Sequence, residues 1–117
     1  MSEVSKRVRD LVLERDRHVC VICGRGGEGL NLHHRRLRQH GSEAERHLPS
    51  NLITVCGSGT TGCHGEIHAD PRASYARGWM VHSYSDPLTT PVDTCHGRLL
   101  LDDEGGFTDL TDRRALV

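Results

Sequence analysis

The chain has 117 residues, of which 35% are hydrophobic and 3% aromatic, and its formal net charge at pH 7 is −1. A chain of this length fits one domain with a small apolar core, so we expect a structural metal to stabilise it. No apolar segment approaches the roughly 20 residues that a membrane-spanning helix needs, and the polar N-terminal segment lacks the apolar core of a signal peptide. We therefore predict a cytoplasmic protein with no membrane partner.

The charge is unevenly distributed along the chain. Residues 1–79 carry twelve Lys or Arg and nine Asp or Glu, whereas residues 80–117 carry three and seven. We predict a core with an N-terminal helix over residues 1–79 and an acidic, strand-rich extension over residues 80–117 that packs on it. Phosphates repel an acidic surface, so the extension is expected to face away from any nucleic acid or to restrain non-specific binding to it, which leaves the extension available to a protein partner.

Apolar residues recur at helical spacing in the first segment, which predicts an amphipathic helix from about Ser2 to Asp16: Val4, Val8, Leu11 and Val12. Lys6, Arg7 and Arg9 lie in the same helix. This basic group contacts phosphates or forms a solvated face, and the sequence leaves both interpretations open.

Four cysteines form two pairs, Cys20-x2-Cys23 and Cys56-x6-Cys63. Cytosolic thiols stay reduced, so two such pairs, with Gly24 permitting a tight turn after the first, favour structural zinc over disulfides. The alternative is a set of buried thiols without metal. The fifth cysteine, Cys95, has no local partner, and we interpret it as incidental.

Between the thiol pairs, Leu30 to Leu32 predict a short strand that leads into His33 and His34. The basic residues after this pair are expected to attract phosphates: Arg35, Arg36 and Arg38. The segment from Gln39 to Ser50 is polar and aperiodic, which indicates a loop. The β-branched segment from Asn51 to Cys56 predicts a second strand.

A helix is predicted to begin near Cys63 and to break at Pro71. It places His64 and His68 on one face, four residues apart, where they can hold a second ion. Asp70 and Pro71 suit the N-cap and first turn of a further helix.

Beyond Trp79 the pattern predicts strands over Met80–Tyr84 and Arg98–Leu101. Asp102 to Gly106 then form the turn of a hairpin that ends at Phe107. Reversing the charges of Asp102, Asp103 and Glu104 in this turn is expected to leave the fold intact.

In their order and spacing, these segments resemble the HNH endonucleases, in particular their small phage and bacterial members. The matching pieces cover about residues 15–79 and are Cys20-Val-Ile-Cys23-Gly24, Leu32-His33-His34, Asn51 to Cys56 and Cys63-His64-Gly65-Glu66-Ile67-His68. The resemblance implies an α+β fold: a zinc-stapled, treble-clef-like ββα-metal domain, here with an N-terminal helix and a C-terminal β-hairpin.

The resemblance also implies roles. His33 takes a metal-ligand position, His34 the position of the general base, and His64 that of the metal-binding histidine. His68 is a further ligand or contacts a phosphate. Asn51 holds the loop that orients His34, lies near the ion, or caps the turn before the strand.

The implied reaction is hydrolysis of DNA phosphodiester bonds with one divalent ion, which imidazole ligands allow to be Mg²⁺, Mn²⁺, Ni²⁺ or Zn²⁺. Double-stranded DNA is the expected partner, read in the minor groove with low sequence specificity. Phage relatives also suggest a terminase, or another protein, as a partner in DNA packaging, whereas the same motif in other relatives serves restriction and mobile elements. The alternative is a zinc-binding module that contacts DNA or protein without cutting.

Overall fold

A computed structural model describes residues 4–36 and 42–111 of the chain. Helix α1 spans Lys6–Arg15, and the Ser5 side chain caps it by accepting a hydrogen bond from the Val8 backbone N–H. The predicted helix is therefore present but begins later, and Ser2 lies outside the described residues. Arg15 and Asp16 form a buried ion pair at the end of α1, with Nε and Oδ1 2.8 Å apart.

The two central strands are β1 (Leu30–His34) and β2 (Leu52–Cys56), which pair antiparallel with Leu30 opposite Cys56 and His34 opposite Leu52. Every residue of β2 is buried. The ion pair of Arg15 and Asp16 joins α1 to this strand, since Arg15 donates to the Leu52 carbonyl and Asp16 accepts from the Thr54 N–H. These hydrogen bonds tie the end of α1 to β2.

The segment predicted as a loop from Gln39 to Ser50 contains helical turns. The short helix α2 spans Glu43–Arg46, and a 3-10 turn spans Pro49–Asn51 just before β2. Ser42 and Glu45 form a reciprocal capping box, each side chain accepting a hydrogen bond from the other residue's N–H. The Ser-x-x-Glu pattern was therefore the missed indication of this helix.

After β2, helix α3 spans Gly62–Ala69 and helix α4 spans Pro71–Ala76. Asp70 separates them as predicted, and its carboxylate accepts a hydrogen bond from the Ala73 N–H. Gly78 ends this region in a left-handed conformation with φ of 77°. A side chain there would collide with the Pro91 carbonyl, so the close approach of the C-terminal segment depends on glycine.

The C-terminal region forms an antiparallel sheet of β3 (Val92–Thr94), β4 (Gly97–Leu101) and β5 (Phe107–Asp109), with β4 in the middle. The hairpin from β4 to Phe107 is thus as predicted. The strand predicted over Met80–Tyr84 is wrong, because only Val81 pairs, through a single parallel bridge to Arg36. A 3-10 turn at Pro87–Thr89 precedes β3, which the sequence pattern did not indicate.

Both regions contribute to one hydrophobic core. Val92, Leu99 and Leu101 from the C-terminal sheet lie in the same cluster as Ile53 from β2 and Ile67 from α3. The fold is a small α+β domain in which the acidic extension packs directly against β2 and α3. Within the described part of the chain, no helix is both long enough and apolar enough to cross a membrane.

Candidate metal centre

The four paired cysteines come together, as predicted from their spacing. Cys20 and Cys23 flank a turn after α1, Cys56 ends β2, and Cys63 lies in the first turn of α3. Their sulfur atoms all lie within 4.8 Å of one another. Four thiols in this arrangement are compatible with a tetrahedral structural zinc.

The turn of the first thiol pair is held by the backbone. The Gly24 N–H donates to the Cys20 carbonyl at 2.8 Å, and Gly24 has the left-handed φ of 81° that such a turn requires. The Val21 N–H donates to the Thr54 carbonyl at 2.9 Å. This bond places the turn of Cys20 and Cys23 beside β2, which ends at Cys56. The two cysteine pairs are thereby brought close together.

The six residues between Cys56 and Cys63 fold back on themselves. The Ser58 N–H donates to the Thr61 carbonyl at 3.0 Å, and Gly57 adopts φ of 90°. A side chain at Gly57 would collide with that same carbonyl. The unusual spacing therefore forms a compact glycine-dependent turn that bulges away from the thiols.

Thiol chemistry supports a cation at this position. Burial, together with hydrogen bonds to Cys56 and Cys20, raises the pKa of the Cys63 thiol well above its usual range. The Sγ atoms of Cys23 and Cys56 are 3.8 Å apart. Thiolates packed so closely repel one another, and a divalent ion removes this repulsion by accepting their charge.

Three imidazoles form a second cluster. His33 comes from β1, and His64 and His68 come from adjacent turns of α3, with one ring nitrogen of each within 4.8 Å of the others. The His33 ring centroid lies 5.1 Å from that of His64 and 5.4 Å from that of His68. Three neutral imidazoles at this separation can bind one divalent ion and leave coordination positions open.

The surroundings of His33 and His64 favour the neutral form of these two imidazoles, which is the form that binds metal. Burial, reinforced by the charge of His64, lowers the pKa of His33 to about 3. Burial also lowers the pKa of His64. The His64 Nδ1 atom is buried and has no hydrogen-bond partner among the described residues. An ion would satisfy this nitrogen, so the donor set fits a metal.

His34 projects differently from His33, as expected for successive residues of a strand. Its ring lies 5.3 Å from that of His47, centroid to centroid, on the segment between α2 and β2. The pair of histidines is thus divided between the imidazole cluster and a second environment at the end of β1. His47 was not among the predicted site residues, because nothing in its sequence spacing indicated contact with His34.

Asn51 is buried, with 1% of its surface exposed, and its side chain bridges two segments. Its Oδ1 accepts from the Arg36 N–H at 2.8 Å, and its Nδ2 donates to the Arg46 carbonyl at 3.0 Å. Of the three roles considered for Asn51, this geometry favours that of holding the segment that follows His34.

The structure overturns the expectation that Arg35 contacts phosphate. Arg35 has 0% exposure, and its guanidinium donates to backbone carbonyls of Gly78, Ser50 and Thr90 at 2.8, 2.8 and 2.6 Å. A buried guanidinium whose donors are occupied by carbonyls cannot reach DNA. Arg35 instead joins the end of β1 to the C-terminal region.

The other predicted phosphate ligands differ in position. Arg36 is half-buried, and its Nη2 donates to the Ser83 carbonyl at 2.6 Å. Arg38 lies outside the described residues. Cys95 lies near the thiol cluster, where its Sγ donates to the Cys20 carbonyl at 3.6 Å, but it is not one of the four clustered thiols.

No family model, no curated protein and no solved structure matches this chain.

Proposed function

We propose that this chain is a metal-dependent DNA endonuclease of the HNH type. The observation that carries the proposal is the convergence of His33, His64 and His68 on one point beside the four-thiol cluster. A zinc ion on the four thiols would be sufficient to stabilise the domain, so we assign the second, purely imidazole cluster a role in the chemistry. Its position between a two-stranded sheet and helix α3 is the one that the resemblance to HNH enzymes assigns to the catalytic ion.

A bound ion would stabilise negative charge on the phosphate and on the leaving oxygen. The chain itself supplies orientation and proton transfer. His33, held by the Trp79 carbonyl 2.9 Å from its Nε2, keeps its other ring nitrogen available as a ligand. His34 is not one of the three clustered imidazoles, and the resemblance to HNH enzymes assigns it the role of the base that accepts a proton from water.

Asn51 is a positioning residue in this scheme. Its side chain binds the Arg36 N–H, two residues after His34, and so fixes the backbone that leaves β1. Of the arginines that follow the histidine pair, Arg36 is half-buried where Arg35 is fully buried, so we assign the contact with DNA phosphates to Arg36. Double-stranded DNA is the proposed substrate and a phage DNA-packaging protein such as a terminase the proposed partner.

The competing function is a zinc-binding module that contacts DNA or protein without cleaving it. Such a module needs the four thiols but gives no role to the imidazole cluster. The two functions are separated by plasmid cleavage assays with Mg²⁺, Mn²⁺ or Ni²⁺, comparing the wild-type protein with His34→Ala. The matched control is His18→Asn, since His18 is exposed and asparagine tolerates its left-handed φ of 55°.

We expect the wild type and His18→Asn to cleave, and His34→Ala to lose activity by about 100-fold or more, as for loss of a general base. Unchanged zinc content and circular dichroism would show that His34→Ala remains folded. Equal cleavage by His34→Ala and His18→Asn would remove His34 from the mechanism. A wild type that binds DNA without cutting it in any of the three ions would establish the binding module instead.

A further inference from the structure

Three aromatic rings form a continuous stack on the surface next to the end of β1. The rings of Tyr75 and His82 are 3.8 Å apart, centroid to centroid, with an interplanar angle of 3°. The rings of His82 and Tyr84 are 4.9 Å apart at 7°. The stack begins at Tyr75, which packs against the hydrophobic core, and ends at Tyr84, which is 82% exposed.

The outer ring is held in place by its backbone neighbours. The Ser85 N–H donates to the His82 carbonyl at 3.0 Å, which closes a turn around Tyr84. Arg36 donates to the Ser83 carbonyl, the residue just before Tyr84. The Val81 N–H donates to the Arg35 carbonyl at 2.8 Å and anchors the start of the turn to β1. The ring of Tyr84 therefore needs little further ordering to receive a fourth ring.

Tyr84 borders a cleft of about 410 Å³ that also contains Arg36, Arg46 and Asn51. Three carboxylates line the same cleft, and each already accepts a hydrogen bond from a backbone N–H: Glu45, Asp86 and Asp103. A charged guanidinium and an open aromatic face thus lie in one cleft. The exposed ring suits a nucleotide base, which stacks on an aromatic face, whereas the three carboxylates outnumber the two arginines, so stacking rather than charge would hold the nucleotide.

We propose that Tyr84 is a stacking platform for an unpaired base, so that the protein binds single-stranded or locally unpaired DNA in this cleft. Every base has an aromatic face, so the contact requires no particular sequence. The inference rests on the proposed function, because the DNA whose unpaired base stacks on Tyr84 is the DNA that the imidazole cluster would cleave. The further claim is that an unpaired base strengthens the binding of DNA to the protein.

The test measures binding of a single-stranded oligonucleotide that carries 2-aminopurine, whose fluorescence is quenched by stacking. The zinc-loaded protein is used without added divalent ion, so that binding is observed without cleavage. Tyr84→Ala removes the ring, and Tyr84→Phe keeps the ring while removing the hydroxyl. Phe107→Ala is the matched control, because Phe107 is an aromatic residue 42% exposed on β5, outside the residues that line the cleft.

We expect Tyr84→Ala to weaken single-strand binding by at least about fivefold and to abolish the quenching, in line with the energy of base–aromatic stacking. Tyr84→Phe and Phe107→Ala should bind like the wild type. Equal single-strand affinity of Tyr84→Ala and the wild type would overturn the inference. Tyr84-dependent binding by a protein that never cleaves DNA would uphold this inference and reject the proposed nuclease, whereas plasmid cleavage without any single-strand binding would do the reverse.

Discussion

The Nε2 atom of His33 lies 2.9 Å from the carbonyl oxygen of Trp79. Arg35, two residues further along and thus on the same side of the strand, binds the neighbouring carbonyl of Gly78 at 2.8 Å. The carbonyls of Gly78 and Trp79, which follow α4, therefore bind side chains from one face of β1 and of the residue just after it. The contact fixes the imidazole ring through an outer hydrogen bond, the arrangement by which proteins orient metal-binding histidines.

Zinc content is the first prediction. The purified protein should contain one tightly bound zinc, and Cys20→Ser or Cys63→Ser should unfold it, because structural zinc contributes on the order of 10 kcal/mol to folding. Cys95→Ser is the matched control and should keep both the zinc and the fold, since Cys95 lies outside the four-thiol cluster. Elemental analysis and circular dichroism measure the two properties. Well-folded protein without zinc would contradict the prediction.

The second prediction concerns the imidazole cluster. His64→Ala should weaken binding of Mn²⁺ or Ni²⁺ by at least about tenfold, because it removes one of three converging nitrogens. Zinc held by the thiols should stay at one per chain. Isothermal titration calorimetry measures the affinity, with His18→Asn as a control for general loss of an imidazole. Unchanged affinity in His64→Ala would exclude His64 as a ligand.

Arg35 provides the third prediction. Arg35→Met should lower the free energy of unfolding by about 3 kcal/mol or more, because several buried carbonyls lose their hydrogen-bond donor. Arg36→Met should cost much less stability and instead weaken duplex binding, with a shallower dependence on salt. Urea unfolding and salt-dependent binding measure these effects. A more stable Arg35→Met variant would show that packing outweighs the lost hydrogen bonds.

The fourth prediction corrects the expectation that the acidic turn tolerates reversal of all three charges. The Asp103 carboxylate accepts from the Ser50 N–H at 3.0 Å, and that of Asp102 accepts from the N–H groups of Glu104 and Gly106. Asp103→Ala should therefore cost about 1–2 kcal/mol of stability. Glu104→Lys should leave thermal unfolding unchanged, because the Glu104 side chain is exposed.

Glu104→Lys also tests which way the acidic extension faces, which is the fifth prediction. We expect its affinity for random duplex to equal that of the wild type, because Glu104 is exposed and lies outside the residues that line the Tyr84 cleft, so its charge is screened from DNA at physiological ionic strength. Fluorescence anisotropy across a range of salt concentrations measures the affinity. A marked gain in duplex affinity would show that the turn carrying Glu104 borders the duplex-binding surface.

Local patterns in the sequence were sufficient for the elements around the metal centre. The periodicity of α1, the β-branched segment of β2 and the cap and proline at Asp70–Pro71 each act through neighbouring residues, and each is present in the structure. The convergence of four cysteines was equally predictable, because two short-range pairs on turns need only one tertiary contact to meet. The capping box of Ser42 and Glu45 was readable in the same way but was overlooked.

The sequence by itself determined the thiol pairs, the histidine spacing on α3 and most of the secondary structure. Only the tertiary structure decided that Arg35 is buried, that Asp103 binds Ser50 and that Tyr75, His82 and Tyr84 form one stack. The Arg35 guanidinium binds carbonyls that lie 15, 43 and 55 residues away along the chain. Whether an arginine side chain is exposed to phosphates or buried against carbonyls depends on which distant segments surround it. Those segments come together only when the chain folds, so the local sequence does not predict the outcome.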